Sequence, residues 1–121
     1  MIIIPSYDAK GELNYFVARS YINQFFSKPK KDDMDPNIIP FEYYINWNEP
    51  VTLTESSFNA ITTGRNAIPL SGKNIPQVLM NKISTSPCQF VNLAFDGDAG
   101  SRTITVAESL ISIGKIPRYI R

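Results

Sequence analysis

The second half of the chain alternates between short apolar runs and amphipathic stretches. The apolar runs predict strands, and the stretches between them have the spacing and end signals of helices. The predicted strands are 50–54, 66–70, 91–95 and 116–120, and the predicted helices are 56–64, 75–83 and 101–113. Because strands that alternate with helices form parallel sheets, this order predicts an α/β fold with a parallel, helix-covered sheet.

The apolar positions also predict which side chains face the core. The strand 91–95 is nearly continuous in apolar residues, which predicts cover on both of its faces. Gly114 is the expected stop of the helix 101–113. The inward-facing positions at helical spacing are Ile75, Val78, Leu79 and Ile83 in the helix 75–83, and Ile104, Ala107, Leu110 and Ile111 in the helix 101–113.

The first half of the chain has a different pattern. Two β-rich runs, 2–7 and 12–19, flank the turn 8–11, in which Gly11 can adopt the positive φ of a short hairpin loop. A polar, proline-containing connector follows over 27–40, and the aromatic stretch 41–47 predicts a short helix packed against the sheet. We therefore expect an N-terminal hairpin subdomain over 1–49 and the parallel-sheet domain over 50–121.

Composition excludes several kinds of chemistry. The 121 residues include one cysteine, Cys88, and no histidine, so an internal disulfide, a cysteine zinc cluster and catalysis by Ser/His/Asp or Cys/His are excluded. With 43% hydrophobic and 19% charged residues, the chain can build a core without such cross-links. There is no apolar run of membrane-spanning length and no signal-peptide pattern, and we expect a cytoplasmic protein with no membrane partner.

The net charge of +1 conceals an uneven distribution. From residue 50 onward there are seven basic side chains against four acidic ones, whereas the first half is acidic. A basic surface around a few carboxylates suits a polyanion near a bound cation. Scattered lysines that only keep the surface hydrated are the alternative interpretation.

Carboxylates end the predicted strand 91–95. Asp96 and Asp98 are two residues apart, so both can direct their oxygens to one point beyond the strand. Mg²⁺ prefers such hard oxygen ligands and often uses only one or two protein carboxylates together with substrate phosphates. A solvated Asp-Gly turn is the alternative.

Another acidic residue follows the strand 50–54 directly. Glu55 precedes the predicted helix 56–64, where a glutamate alone is most often a partner of the helix dipole. If both strands run parallel, however, their carboxyl ends lie at the same edge, where open α/β sheets bind ligands. Together with Asp96 and Asp98, Glu55 favours a metal site.

Three motifs carry a family resemblance. They are TESSFNA at 54–60, IPLSG at 68–72 and FDGDAGSR at 95–102. In this order they resemble the Toprim domain of DnaG-type DNA primases, especially those of bacteriophages. The hairpin ending at Arg19 and the segments 28–30 and 41–44 resemble the N-terminal subdomain of the same RNA polymerase core, so the resemblance covers essentially the whole chain.

The resemblance implies a function. Primases of this kind copy a single-stranded DNA template into an RNA primer from ribonucleoside triphosphates, and the full-length proteins act with a replicative helicase. It implies Mg²⁺ or Mn²⁺ as cofactor, and a bacterial host cell as location if the protein is encoded by a phage. The implied residues are Glu55, Asp96 and Asp98 for catalysis and metal binding, Asn59 as a further metal ligand, and Arg19, Lys28, Lys30, Lys73 and Arg102 for nucleic acid or nucleotide.

The chain departs from the family pattern at three places. Ser56 stands where the family has glycine, and Asn59 stands where it has aspartate, which removes one negative charge. The family also has an acidic cluster after the strand that corresponds to 115–120, so we expect a Toprim domain truncated at its C-terminal end. Two alternatives remain: a non-catalytic nucleic-acid-binding module, and a Toprim nuclease or topoisomerase fragment.

Overall fold

The protein contains two separate β-sheets within the part of the chain that the structure describes. The structure is a computed structural model, and it describes residues 2–19, 26–27, 37–55, 66–70, 74–95 and 100–120. The first sheet is antiparallel with the order β1-β2-β3. Its strands are β1 (Ile2–Tyr7), β2 (Leu13–Arg19) and β3 (Phe26–Ser27).

The second sheet is parallel and has the order β5-β4-β6-β7. This sheet and its helices confirm the predicted α/β class, whereas the predicted helix 56–64 lies outside the described residues. The division of the chain at residues 49 and 50 stays a prediction. The elements are β4 (Val51–Thr54), β5 (Ala67–Pro69), α1 (Gln77–Thr85), β6 (Phe90–Ala94), α2 (Gly100–Ser112) and β7 (Ile116–Tyr119).

The core lies between this sheet and its helices. Each fully buried Leu, Ile or Val side chain contributes about 1.5–3 kcal/mol relative to an exposed one. In β4 all four residues are buried, whereas in β6 buried residues alternate with half-buried ones. Strands β4 and β5 are therefore covered on both faces, whereas the strand 91–95, predicted to be so, is only half-buried on one face. The fully buried side chains include Val51, Leu53, Ile68, Leu70, Leu79, Ile83, Val91, Leu93, Val106 and Leu110.

Helix α1 presents the predicted face, and α2 presents it in part. Leu79 and Ile83 are buried in α1, with Val78 packed against the core. In α2, Val106 and Leu110 are buried, but Ile104 and Ile111 are both 61% exposed. Leu110 is therefore buried as predicted and Ala107 packs against the core, whereas Ile104 and Ile111 were wrongly placed there and Val106 was missed.

Two positive-φ glycines have their predicted roles. Gly11 (φ 84°) completes the β1–β2 turn, in which Asp8 Oδ1 accepts the backbone N–H groups of Lys10 and Glu12, both at 2.9 Å. Gly114 (φ 81°) ends α2, and its N–H donates to the Ile111 carbonyl at 3.0 Å. A left-handed residue just after a helix satisfies carbonyls of the last turn in this way.

The predicted connector 27–40 is correct only in part. Ser27 belongs to β3, where it pairs with Ala18, while 28–36 lies outside the described residues. Near the end of the predicted connector, Ile39 is buried in the main core. This segment also contacts the hairpin, because the Asn14 side-chain amide donates to the Ile39 carbonyl at 3.3 Å.

The predicted helix 41–47 is shorter than expected. Only a 3₁₀ turn forms, over Glu42–Tyr44, and none of its residues is buried. Its contacts are with β1, where the rings of Tyr43 and Tyr44 lie edge to face with that of Tyr7 at 6.4 and 6.5 Å. The turn itself therefore does not pack on the parallel sheet as predicted.

Asn66 holds the amino edge of the parallel sheet. It adopts a left-handed conformation (φ 57°) immediately before β5. Its side chain accepts the Asn46 N–H at 2.6 Å and donates to the Asn46 and Pro50 carbonyls, both at 2.9 Å. Its own carbonyl accepts the Thr52 N–H at 2.9 Å, so this one residue joins the entrances of β4 and β5.

Neither described helix is long and apolar enough to span a lipid bilayer. The longer helix, α2, has 13 residues. At 1.5 Å per residue its length is about 20 Å, against about 30 Å for the hydrocarbon core of a bilayer.

We expect Ser6→Ala to destabilise the protein by about 1–3 kcal/mol, because a buried N–H loses its acceptor. The fully buried Ser6 hydroxyl accepts the Phe41 N–H at 2.6 Å and donates to Asn14 Oδ1 at 2.7 Å. Urea unfolding measures the change. Ser109→Ala on the surface of α2 is the control, and equal effects of the two substitutions would contradict the expectation.

We expect the free energy of unfolding of Asn66→Ala to be about 1 kcal/mol lower than that of Asn66→Gly. The left-handed backbone conformation is unfavourable for alanine, which has a Cβ atom, and not for glycine. Both variants lose the side-chain hydrogen bonds of Asn66, so the difference between their unfolding free energies reports the cost of the left-handed backbone conformation alone. Thermal unfolding of the two variants checks it. An alanine variant as stable as the glycine variant would show that position 66 tolerates another backbone conformation.

Candidate metal and nucleotide site at the carboxyl edge

The carboxyl ends of the four parallel strands lie at one edge of the sheet. Thr54 pairs with Ala94, so Glu55 and Phe95 follow β4 and β6 at the same level. The end of β5 joins them, because the Leu70 N–H donates to the Thr54 carbonyl at 2.8 Å. Ligands of open α/β sheets bind at this edge.

Glu55 is the predicted site residue that the structure locates most directly. Thr54 before it is fully buried and Glu55 is half-buried, so solvent access begins at the acidic residue. Strand β4 therefore carries the carboxylate from the core to the rim of the sheet. Its position agrees with the predicted edge, and its role as a ligand stays a prediction.

The other predicted metal ligands lie outside the described residues. These are Asn59, Asp96 and Asp98. Asp96 follows directly in sequence on Phe95, which is buried at the end of β6. Over the described ranges no cluster of three or more acidic, cysteine or histidine side chains could hold a metal, and the predicted site needs the two aspartates beyond those ranges.

Arg102 brings a positive charge to the same edge. It lies in the first turn of α2, and its Nη2 donates to the Leu70 carbonyl at 3.3 Å. Its guanidinium carbon also lies 5.0 Å from the centre of the Phe95 ring. Arg102 thereby links the end of β5 to the end of β6, beside the strand end that leads to Asp96.

The sequence interpretation missed the two residues that hold this arginine. Phe95 and Leu70 lie at the ends of predicted strands and within the family motifs, and neither is among the predicted site residues. An aromatic residue at a strand end, followed by arginine in the first turn of the next helix, was the available signal for the cation–π contact. The contact of Arg102 with the Leu70 carbonyl could not be predicted from the sequence, because it depends on the strand order that brings the end of β5 near α2.

Of the remaining predicted cations, the structure describes only the backbone of Arg19. Arg19 is the last residue of β2, in the antiparallel sheet, where it pairs with Ile2 and Phe26. Lys28, Lys30 and Lys73 lie outside the described residues. Their assignment to nucleic acid or nucleotide stays a prediction.

This arrangement has a definite chemical capacity. A carboxylate at a strand end is suited to a divalent cation, and the carboxylates of Asp96 and Asp98 would add hard oxygen ligands. A guanidinium at the same edge can pair with phosphate oxygens. The types of these residues suit a metal ion that is shared with a phosphorylated ligand, and the metal site stays a prediction.

Comparison with known proteins gives a structural match only. No family model matches the chain, and no curated protein is similar in sequence. The fold is similar to a chain in the solved structure of bacteriophage T7 lagging-strand DNA polymerase interacting with primase domains of two gp4 subunits bound to an RNA/DNA hybrid and dTTP. The TM-score is 0.58 and the identity 12%.

The match extends over almost the whole of this protein. It covers 98% of this chain and 64% of the chain that it matches. At this identity the similarity concerns the fold alone. The match supports a primase-like fold, and the Toprim assignment stays a prediction.

Proposed function

We propose that this chain is the catalytic-core portion of a DNA primase, a nucleotidyltransferase that synthesises RNA primers on single-stranded DNA during replication. The observation that carries the proposal is the in-register parallel pairing of β4 and β6. It brings Glu55 and the residue before Asp96 to one edge, in a primase-like fold. The substrates would be ribonucleoside triphosphates and the template single-stranded DNA.

The acidic residues would bind the metal. Glu55, Asp96 and Asp98 would provide carboxylate oxygens for Mg²⁺ or Mn²⁺, and Asn59 a neutral amide oxygen. Bound there, a divalent ion would neutralise triphosphate charge and favour in-line attack by a 3′-hydroxyl. The amide at position 59 weakens the attraction relative to a carboxylate, because one negative charge is missing.

The basic residues would orient the polyanions. Arg102 is fixed against Leu70 and Phe95, so its guanidinium is held at the ends of β5 and β6 with little freedom left to lose on binding. The amino end of α2 begins two residues before it and favours negative charge. Lys73 would contact the nucleotide, and Arg19, Lys28 and Lys30 would contact the template or nucleotide phosphates.

The cellular setting follows from the proposed reaction. Primer synthesis takes place where DNA is replicated, which for a phage-encoded protein is the cytoplasm of the bacterial host. A replicative helicase would be the partner of the full-length protein. The similar solved structure contains primase domains with a DNA polymerase, which supports a replication setting for this proposal.

We expect Mn²⁺ to broaden the amide NMR signals of Thr54, Glu55 and Phe95, because these residues lie at the proposed metal edge. In Asp96→Ala, the Mn²⁺ affinity should fall at least about tenfold, since one anionic ligand is lost. Titration of the full chain with Mn²⁺, followed by amide line widths, measures both effects.

Glu108→Gln is the matched control for this titration. Glu108 is exposed on α2 and is outside the proposed ligand set, so its substitution removes one negative charge and should leave the broadening unchanged. Broadening that is absent, or that persists equally in Asp96→Ala, would exclude the proposed metal site.

We expect the chain to incorporate labelled ribonucleotides into alkali-labile products on a single-stranded DNA template. Chelation of the divalent ion, or the substitution Asp98→Asn, should abolish this synthesis, because the triphosphate would lose its positioning. Gel analysis of the products, with Glu108→Gln as control, checks the reaction.

The same assay separates the alternatives. DNA binding that is unaffected by chelation and by Asp96→Ala, without synthesis, would favour the non-catalytic module. Metal-dependent cleavage of DNA in the absence of nucleotides would favour a nuclease or topoisomerase fragment. Either result would contradict primer synthesis by this chain.

A further inference from the structure

A row of polar side chains crosses three strands of the parallel sheet. Thr52 on β4 pairs with Asn92 on β6, and Asn92 pairs with Arg118 on β7. Because paired residues point to the same face of a sheet, the three side chains lie side by side. This face is opposite to the one through which Val91 and Leu93 enter the core.

Hydrogen bonds along the row fix the orientation of Arg118. Its Nε donates to Asn92 Oδ1 at 2.9 Å, and Asn92 Nδ2 lies 3.4 Å from Thr52 Oγ1. The guanidinium carbon lies 4.4 Å from the centre of the Phe90 ring. An arginine held by a hydrogen bond and a ring loses little conformational entropy when its remaining N–H groups bind a ligand.

Apolar side chains flank this arginine on an accessible surface. Arg118 itself is exposed, and alternation along the strand places Ile116 and Ile120 on the same face. These isoleucines are 42% and 37% exposed. In the part of the chain that is described, Arg118 bonds Asn92 and contacts the Phe90 ring, and no carboxylate pairs with it.

We propose that Arg118, Phe90, Ile116 and Ile120 form a docking surface for an acidic, apolar protein segment. The segment would place an Asp or Glu on the Arg118 guanidinium and apolar side chains on the two isoleucines. Charge complementarity selects the carboxylate, since a guanidinium can bind it through two parallel hydrogen bonds. We name these four residues the Arg118 surface.

The observations favour a protein segment over nucleic acid. One face of the Phe90 ring is already covered by Arg118 and is closed to a stacking base. Isoleucine side chains offer bases no ring for stacking, whereas they readily bury apolar side chains. A single arginine with two apolar neighbours therefore matches an acidic peptide better than a phosphate chain.

The partner would bind to the face of the sheet and not extend it. The N–H groups of Ile116 and Ile120 donate inward to the Gln89 and Leu93 carbonyls, so by alternation positions 117 and 119 point to the other side of β7, which pairs with no further strand among the described residues. Pro117 occupies one of these positions and has no N–H to donate. Proline at an edge strand opposes the addition of another strand.

The test uses two short peptides and the full chain, in buffer containing EDTA. One peptide has a central Asp flanked on each side by Leu and Phe, and the other has Asn in place of the Asp. We expect the Asp peptide to shift the NMR signals of the Arg118 Nε–H and of the amides of Ile116 and Ile120. The Asn peptide, and the Asp peptide with Arg118→Gln, should bind about tenfold more weakly.

Two further variants separate docking from a general loss of structure. Ile120→Ser should weaken binding while the Phe90 and Asn92 amide signals remain unchanged. Ile111→Ser removes an exposed isoleucine from α2, outside the Arg118 surface, and should leave binding unchanged. Because EDTA removes the divalent ion and Glu55 takes no part, failure of primer synthesis would not affect this result.

Three outcomes would overturn the proposal. The first is the absence of shifts with the Asp peptide, and the second is equal affinity for the Asp and Asn peptides. The third is displacement of the Asp peptide by oligothymidylate with shifts of the same signals, which would assign the surface to nucleic acid.

Discussion

The parallel pairing of β4 with β6 connects the hydrophobic core to the candidate metal site. Its register places Val51 beside Val91 and Leu53 beside Leu93, and all four side chains are buried. The same register places the ends of the strands level, so Glu55 and Phe95 reach one edge. A shift of two residues would keep the apolar side chains on the core face but displace Glu55 by about 7 Å. A shift of one residue in β6 would turn Leu93 from the core face to the half-buried face. The same register therefore sets both the burial of β6 and the alignment of the site.

Polar contacts at the two edges of the parallel sheet add to the hydrophobic core in aligning the strands. Strand β5 has only three residues, and its alignment depends on groups beyond its ends. At the amino edge, Asn66 bonds the entrance of β4. At the carboxyl edge, Arg102 joins the Leu70 carbonyl to the Phe95 ring. Arg102, which is proposed to orient the nucleotide, thus also connects the strand ends between which the ligand would bind. The contacts that stabilise the fold therefore also set the orientation of this guanidinium.

The sequence predicted the strands and the carboxyl edge well, because both depend on local signals. Apolar runs bounded by Gly, Pro and polar residues located β4 to β7, and Gly11 and Gly114 marked the turn and the helix end. The face of α2 was predicted only in part. Leu110 is buried as expected, but Ile104 and Ile111 are exposed and Val106 is buried instead, and only tertiary packing distinguishes these positions. The contacts of Arg102 and Arg118 depend on strand order. The local sequence pattern does not predict that order. The assignment of Asp96 and Asp98 as metal ligands is still a prediction from the sequence alone.

The half-buried Asn92 shows how one strand can support two kinds of site. An apolar residue at this position would pack as well, and a half-buried amide is unfavourable unless its donors and acceptor are satisfied. Here the register supplies a partner on each neighbouring strand, Thr52 on one side and Arg118 on the other. The amide thereby becomes the support that orients the guanidinium. Strand β6 contributes its end to the edge of the candidate metal site, one face to the core and the other to the proposed Arg118 surface. Chemistry at the edge and docking on the face depend on different side chains of the same strand, so each can change without disturbing the other.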